Sequence, residues 1–267
     1  MSWQIGASTG CCVDTPIVEA LQAIHAAGIP AVEVGTANGH FNPWRQDEIT
    51  RVGDRLRLDG TRAVSIHAPF GGLLDLSDPN PRHRSAAIDA ILTAAAALRV
   101  LGGRTVVVHT SDTPRHDQDV RLRLEFIRES LHVLATSCES IGMVLTVESP
   151  LPHLIGGSAD EFEWILRDLP PMVAVCLDTG HTTLGHQWHR FLDVSGSRVS
   201  HIHASDHRGQ YDDHLPPGDG VLDWTGIGRD LNAVHFQGWI MLELRCPGAS
   251  LQQQFQRACR QLVDRLP

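Results

Sequence analysis

MVLTVESPLPHLIGGSADEFEWILRDLPPMVAVCLDTGH occupies residues 143–181, and its reading decides the fold. Two runs within it, MVLTVES (143–149) and MVAVCLD (172–178), are short and apolar on both faces, the pattern of strands covered on both sides in a parallel sheet. Between them SADEFEWILRDLP (158–170) opens on a polar residue and places Phe162, Ile165, Leu166 and Leu169 at the i, i+3, i+4, i+7 spacing of an amphipathic helix. Strand, helix, strand is therefore the repeating unit. The same alternation runs outward in both directions, through WQIGAS (3–8), AVEVG (31–35), AVSIHA (63–68), RTVVVHT (104–110), RVSHIHA (198–204) and WIMLEL (239–244). Eight strands separated by helical segments predict an α/β protein, a closed (β/α)8 TIM barrel forming a single domain over residues 1–267. An open doubly wound sheet is the alternative, but GASTGCC after the first strand is not the glycine-rich phosphate loop such a sheet usually carries.

Composition narrows the function classes. The chain has 267 residues, 42% of them hydrophobic, enough for a sizeable core. Net charge is −9 and all 22 basic residues are arginine, so no global attraction to nucleic acid is expected, although a local basic rim would still serve. The densest arginine cluster, RHDQDVRLRLEFIRES (115–130), is interleaved with acids at helical spacing and reads as a solvated helix face. MSWQIGAS has neither a basic nor an apolar leader segment, and no apolar run approaches the ~20 residues of a membrane span. A soluble, cytoplasmic protein without a membrane partner is the expectation. The six cysteines lack CxxC spacing and are expected to be reduced thiols. Oligomeric state is left open, a homo-oligomer included.

Active sites of such barrels form at the carboxyl ends of the strands. Strands 3 to 8 end in His67, His109, Glu148, Asp178, His203 and Glu243, with His181 three residues beyond Asp178. Imidazole and carboxylate are the commonest protein ligands of divalent metals, and six consecutive strands deliver them to one rim. The segment HIHASDHRGQYDDHLPPGDGVLDW (201–224) adds four histidines and five aspartates in a loop stiffened by Pro216 and Pro217. Phe41, Trp44 and Trp224 lie in loops expected on the same rim, where they would either exclude water or pack in the core.

SIHAPF, VVVHT, TVES, VCLDTGH, HIH and LEL, taken in this order, resemble the xylose isomerase-like TIM barrels, which include sugar phosphate isomerases and epimerases and the endonuclease IV-type apurinic endonucleases. In the isomerase branch the resemblance implies one divalent metal, zinc or manganese, on Glu148, Asp178, His203 and Glu243, with His181 near the substrate. In the endonuclease branch it implies three zinc ions on nine ligands: His67, His109, Glu148, Asp178, His181, His203, Asp212, His214 and Glu243. All nine are present. Ser149 departs from the family, which usually has asparagine after the strand 5 glutamate. LDLSDPNPRHR (74–84) is like the isomerase members, and the βα connections are short rather than DNA-penetrating.

Two functions follow, in this order. As an isomerase or epimerase of a sugar or sugar phosphate, the protein would use Glu148 and Glu243 to move a proton beside a polarised carbonyl, with His181 steadying the developing charge. Arg208, Trp44 and Phe41 are the candidate substrate contacts. As a multinuclear zinc phosphodiesterase, it would act on abasic DNA.

Overall fold

The computed structural model describes residues 4–116, 118–245 and 250–265. Eight parallel strands close into a barrel in chain order: β1 (Gln4–Ser8), β2 (Ala31–Gly35), β3 (Arg62–His67), β4 (Thr105–Val108), β5 (Val144–Glu148), β6 (Ala174–Asp178), β7 (Val199–Ala204) and β8 (Trp239–Leu242). Every strand read from the sequence is present, within two residues of its expected start and end. Trp3, expected to open β1, and Cys246 lie outside the described residues.

The barrel is jacketed by α1 (Ile17–Ala26), α2 (Gln46–Asp59), α3 (Pro81–Val100), α4 (Val120–Ser140), α5 (Ala159–Leu166), α6 (Thr179–Leu184), α7 (Trp188–Ser195), α8 (Trp224–Ala233) and α9 (Leu251–Arg265). The middle unit shows why the sequence folds so. Ser158 caps α5 by accepting from Glu161 N, Asp160 and Glu161 favour the positive end of its dipole, and Phe162, Ile165 and Leu166 bury its inner face. Phe162 meets Phe191 of α7 at a centroid distance of 5.3 Å. Among the described residues no helix is long and apolar enough to cross a membrane.

Strand side chains alternate between the helix layer and the barrel interior. Inward positions stack in layers: Met241 fills the lower interior above Gly6, where an added Cβ would lie 2.5 Å from the Met241 sulfur. Higher up the interior turns polar, with Ser8, Glu33, Ser65, Thr146, His201 and His203 all buried. Above that layer the strands open onto a cavity of about 410 Å³. Among the described residues Cys11, Cys138, Cys176 and Cys259 are free thiols.

Candidate metal centre

Each candidate ligand sits where its strand stops. His67, Glu148 and Asp178 are the last residues of β3, β5 and β6; His203 is the penultimate residue of β7; His109 and Glu243 follow β4 and β8. Glu148, Asp178, His203 and Glu243 bring one ligand atom each to within 4.8 Å of one another, and His67, Glu148 and His203 form an overlapping group. The centre of the arrangement is Glu148. Its Oε2 lies 3.1 Å from His67 Nε2 and 3.2 Å from His109 Nε2, while its Oε1 lies 3.2 Å from His203 Nδ1. Glu243 Oε2 is 3.3 Å from the same Nδ1. On the far side Asp212 Oδ2 is 2.9 Å from His214 Nε2 and 3.3 Å from His181 Nε2. Glu148 and Glu243 thus share His203 within one cluster that includes Asp178, and Asp212 gathers His181 and His214 beside it.

The residues fit divalent cations. Asp178 Oδ2 and Asp212 Oδ1 are buried without a hydrogen-bond partner, a costly state for a carboxylate oxygen that a cation would relieve. Three of the histidines are oriented through Nδ1, which leaves Nε2 facing inward. His67 Nδ1 reaches the Ala68 carbonyl at 3.3 Å, His181 Nδ1 the Ser149 carbonyl at 2.9 Å, and His214 Nδ1 the Glu243 carbonyl at 3.2 Å. His214 also holds a left-handed backbone, φ 49°, which a non-glycine residue adopts only when its surroundings impose it.

Charge is crowded here. Burial alone would push the imidazoles down, but neighbouring carboxylates outweigh it: Glu148 leads in holding His67 at about 9, and Asp178 in holding His181 at about 10. Burial would raise Glu148, yet His203 and His109 hold it well below the usual carboxylate range. Asp178 moves the other way. Burial, with Asp212, Glu148 and Glu243 nearby, pushes it up to about 6 against the pull of His181.

Several residues to which sequence reasoning gave no role shape the centre. Glu33 is wholly buried beneath His203, and a carboxylate inside an otherwise apolar strand, AVEVG, was the available signal. Ser149, the departure from the family pattern, accepts from Asp178 N through Oγ at 2.9 Å while its carbonyl holds His181. Phe70 stacks on His109 at 3.9 Å and lines the cavity with Cys11, Asp112 and Arg245.

The loop residues sort cleanly. Asp206 accepts from His207 N, Gly218 N, Leu222 N and Trp224 Nε1, and so organises the segment that carries Asp212 and His214. Trp224 is consequently a buried packing residue, 2% exposed. Asp213 accepts from Arg208 N at 2.8 Å. Of the three candidate substrate contacts, Phe41 is packed in the core at 1% exposure, Trp44 is 59% exposed, and the Arg208 guanidinium turns to Asp213; none of them lines the cavity. Each was expected on the rim because it lies in a loop; instead Phe41 packs in the core, Arg208 pairs with Asp213 and Trp44 faces solvent.

The chain belongs to the xylose isomerase-like TIM barrel family, whose model matches residues 21–264. It is 24% identical over 234 residues to an uncharacterized protein of Methanocaldococcus jannaschii, covering 87% of this chain and 89% of that one. An inosose dehydratase of Geobacillus kaustophilus is 25% identical over 166 residues, 53% of this chain and 52% of the relative. The crystal structure of a D-tagatose 3-epimerase-like protein superposes with a TM-score of 0.82 at 19% identity, covering 98% of this chain and 97% of that one. That likeness is one of fold.

Proposed function

We propose that the protein is a divalent-metal-dependent isomerase or epimerase of a keto sugar or sugar phosphate. The observation that carries this reading is the convergence of Glu148, Asp178, His203 and Glu243, with Glu148 and Glu243 lining a cavity about 410 Å³ in volume, a size suited to one small polyol. The resemblance to a D-tagatose 3-epimerase-like structure and the partial likeness to an inosose dehydratase support a ketose-type substrate.

Glu148, Asp178, His203 and Glu243 would hold the ion, zinc or manganese. When bound, it would supply Lewis-acid polarisation of a substrate carbonyl. The chain supplies the proton transfers. Glu148 and Glu243 rise from β5 and the end of β8, with β6 and β7 between them around the barrel, and both stay ionised at neutral pH; His203 and His214 hold Glu243 at about 2 against burial. One would accept the proton from the carbon beside the carbonyl on its own face of the sugar, and the other, once protonated from a substrate hydroxyl or water, would return a proton to the opposite face. His181 Nε2 and His214 Nε2, poised on Asp212, would donate to a developing oxyanion. Phe70 and Leu154 supply the apolar wall that limits water, and Arg245 stands at the mouth to meet an anionic or hydroxyl-rich end of the substrate.

A second reading rests on a specific observation. His67 and His109 meet on Glu148 Oε2, and His181 and His214 meet on Asp212 Oδ2, so these histidine–carboxylate groupings would offer ligands to further ions, as a phosphodiesterase acting on abasic DNA would require. Incubating manganese- or zinc-loaded protein with a panel of ketoses and ketose phosphates in heavy water separates the two. Deuterium should enter beside the carbonyl, and chelator should abolish the exchange. No exchange with any sugar, together with chelator-sensitive incision of an abasic duplex, would reverse the order.

A further inference from the structure

We infer that Glu33 is a positioning residue: it holds the His203 ring so that Nε2 keeps its proton and Nδ1 is presented to the metal centre. The inference rests on the reading of Glu148, Asp178, His203 and Glu243 as a metal site and adds a residue that this reading does not contain.

The geometry is specific to one histidine. His67, His181 and His214 are each anchored through Nδ1 on a backbone carbonyl and face the centre with Nε2. His203 is inverted. Its Nδ1 faces Glu148 Oε1 at 3.2 Å and Glu243 Oε2 at 3.3 Å, while its Nε2 points down the barrel. Among the described residues no backbone carbonyl is hydrogen-bonded to that nitrogen. Glu33 Oε1 takes that place, 3.0 Å from Nε2. The contact is short but bent, with the N–H directed off the oxygen.

Glu33 is itself built in. It is 0% exposed, and its two oxygens accept from Ser8 Oγ at 3.1 Å and Ser65 Oγ at 2.8 Å, so β1 and β3 clamp a carboxylate carried by β2. The pairing of β2 with β3 shifts register between Val32 and Glu33, an irregularity of the kind that re-aims a strand side chain near a site. A buried carboxylate of this kind costs free energy unless it is paired, and a merely structural one would have no need to stand under a candidate ligand. His201 provides the contrast. It lies two residues before His203 on the same face of β7 and is also buried, yet it has no carboxylate within ion-pair distance among the described residues, whereas His203 Nε2 has Glu33 Oε1 at 3.0 Å. Carboxylates that receive the distal N–H of a ligand histidine fix its tautomer and ring angle, and their removal typically lowers metal affinity by about 10- to 100-fold.

The test uses the full chain, with zinc as probe. Zinc affinity is measured by competition with a chelator for the wild type, Glu33→Ala, Glu33→Gln and Asp178→Asn, and nitrogen NMR reads the His203 tautomer in metal-free and zinc-loaded protein. Glu33→Ala is expected to lose about 10- to 100-fold in affinity. Glu33→Gln, which keeps the volume and a neutral acceptor, should lose less; it carries the test where the alanine variant does not fold. The NMR readout should show Nε2–H on His203 in zinc-loaded wild type and a mixture of tautomers in metal-free Glu33→Ala or Glu33→Gln at high pH. A purely structural role would lower stability and leave both readings alone. Wild-type zinc affinity in both Glu33 variants, or an unchanged His203 tautomer, overturns the inference. Failure of the metal reading looks different: Asp178→Asn would then bind zinc as the wild type does, while the tautomer of the metal-free protein would still report on Glu33.

Discussion

Asp178→Asn should stabilise the metal-free protein and destabilise the metal-loaded one. Asp178 is 0% exposed, and its Oδ1 caps α6 by accepting from His181 N at 2.8 Å while its Oδ2 has no hydrogen-bond partner. Its folded pKa is raised from 3.8 to about 6. For an acid shifted upward, the ionised form is penalised in the native state above the folded pKa; the penalty fades as pH falls and is gone below the unfolded value. At pH 7.5 it is present in full, about 3 kcal/mol for a shift of this size. Asparagine keeps the cap and removes the charge, but its amide N–H groups would be buried without acceptors, which returns about 1 to 2 kcal/mol. The net gain is about 1 to 2 kcal/mol, or roughly 2 to 8 °C in Tm for a chain of this length. A divalent ion at a hundredfold excess over its Kd adds about 2.7 kcal/mol to the wild type, and little to the variant that has lost a ligand. The order of the two melting temperatures should therefore invert between chelator and excess zinc. In chelator the variant's advantage should also fade as pH falls below about 6 and be gone well below 3.8, where Asp178 is protonated in both states. A metal-free variant that melts below the metal-free wild type at pH 7.5, or one that gains as much from zinc, would refute the reasoning.

Metal binding should release protons. His67 and His181, held at about 9 and about 10, are charged in metal-free protein at pH 7.5 but must be neutral to ligate. Their ion pairs stabilise the metal-free fold fully below about 6.5 and lose that contribution as pH rises through 9 to 10, so apparent metal affinity should climb over that range. Calorimetry in buffers of different ionisation enthalpy counts the protons, and a count of zero would remove both histidines from the ligand set. Asp206→Ala strips four donors of their acceptor in a buried loop and should cost about 3 to 5 kcal/mol in a urea titration. It should also loosen Asp212 and His214; a loss below 1 kcal/mol would mean that the loop is held elsewhere.

What the sequence determined by itself is the architecture and its rim. Eight short apolar runs at parallel-strand spacing leave one economical closure, and a ligand-type residue at the end of six successive strands must reach the same face because every strand runs the same way. His67, His109, Glu148, Asp178, His181, His203 and Glu243 were legible for that reason, and Asp212 and His214 through the family pattern. Tertiary structure decided whatever depends on the inward alternation of strands distant in sequence. Glu33 meets Ser8, Ser65 and His203 only because β1, β2, β3 and β7 face a common interior, 25, 32 and 170 residues apart along the chain at their contacts. It also decided loops: Phe41, Trp44 and Arg208 share the rim in sequence, yet one is core, one is solvated and one is paired with Asp213. A strand transmits direction through a period of two, so its side chains can be placed from sequence, whereas a loop side chain takes whatever partner the closed fold brings within reach.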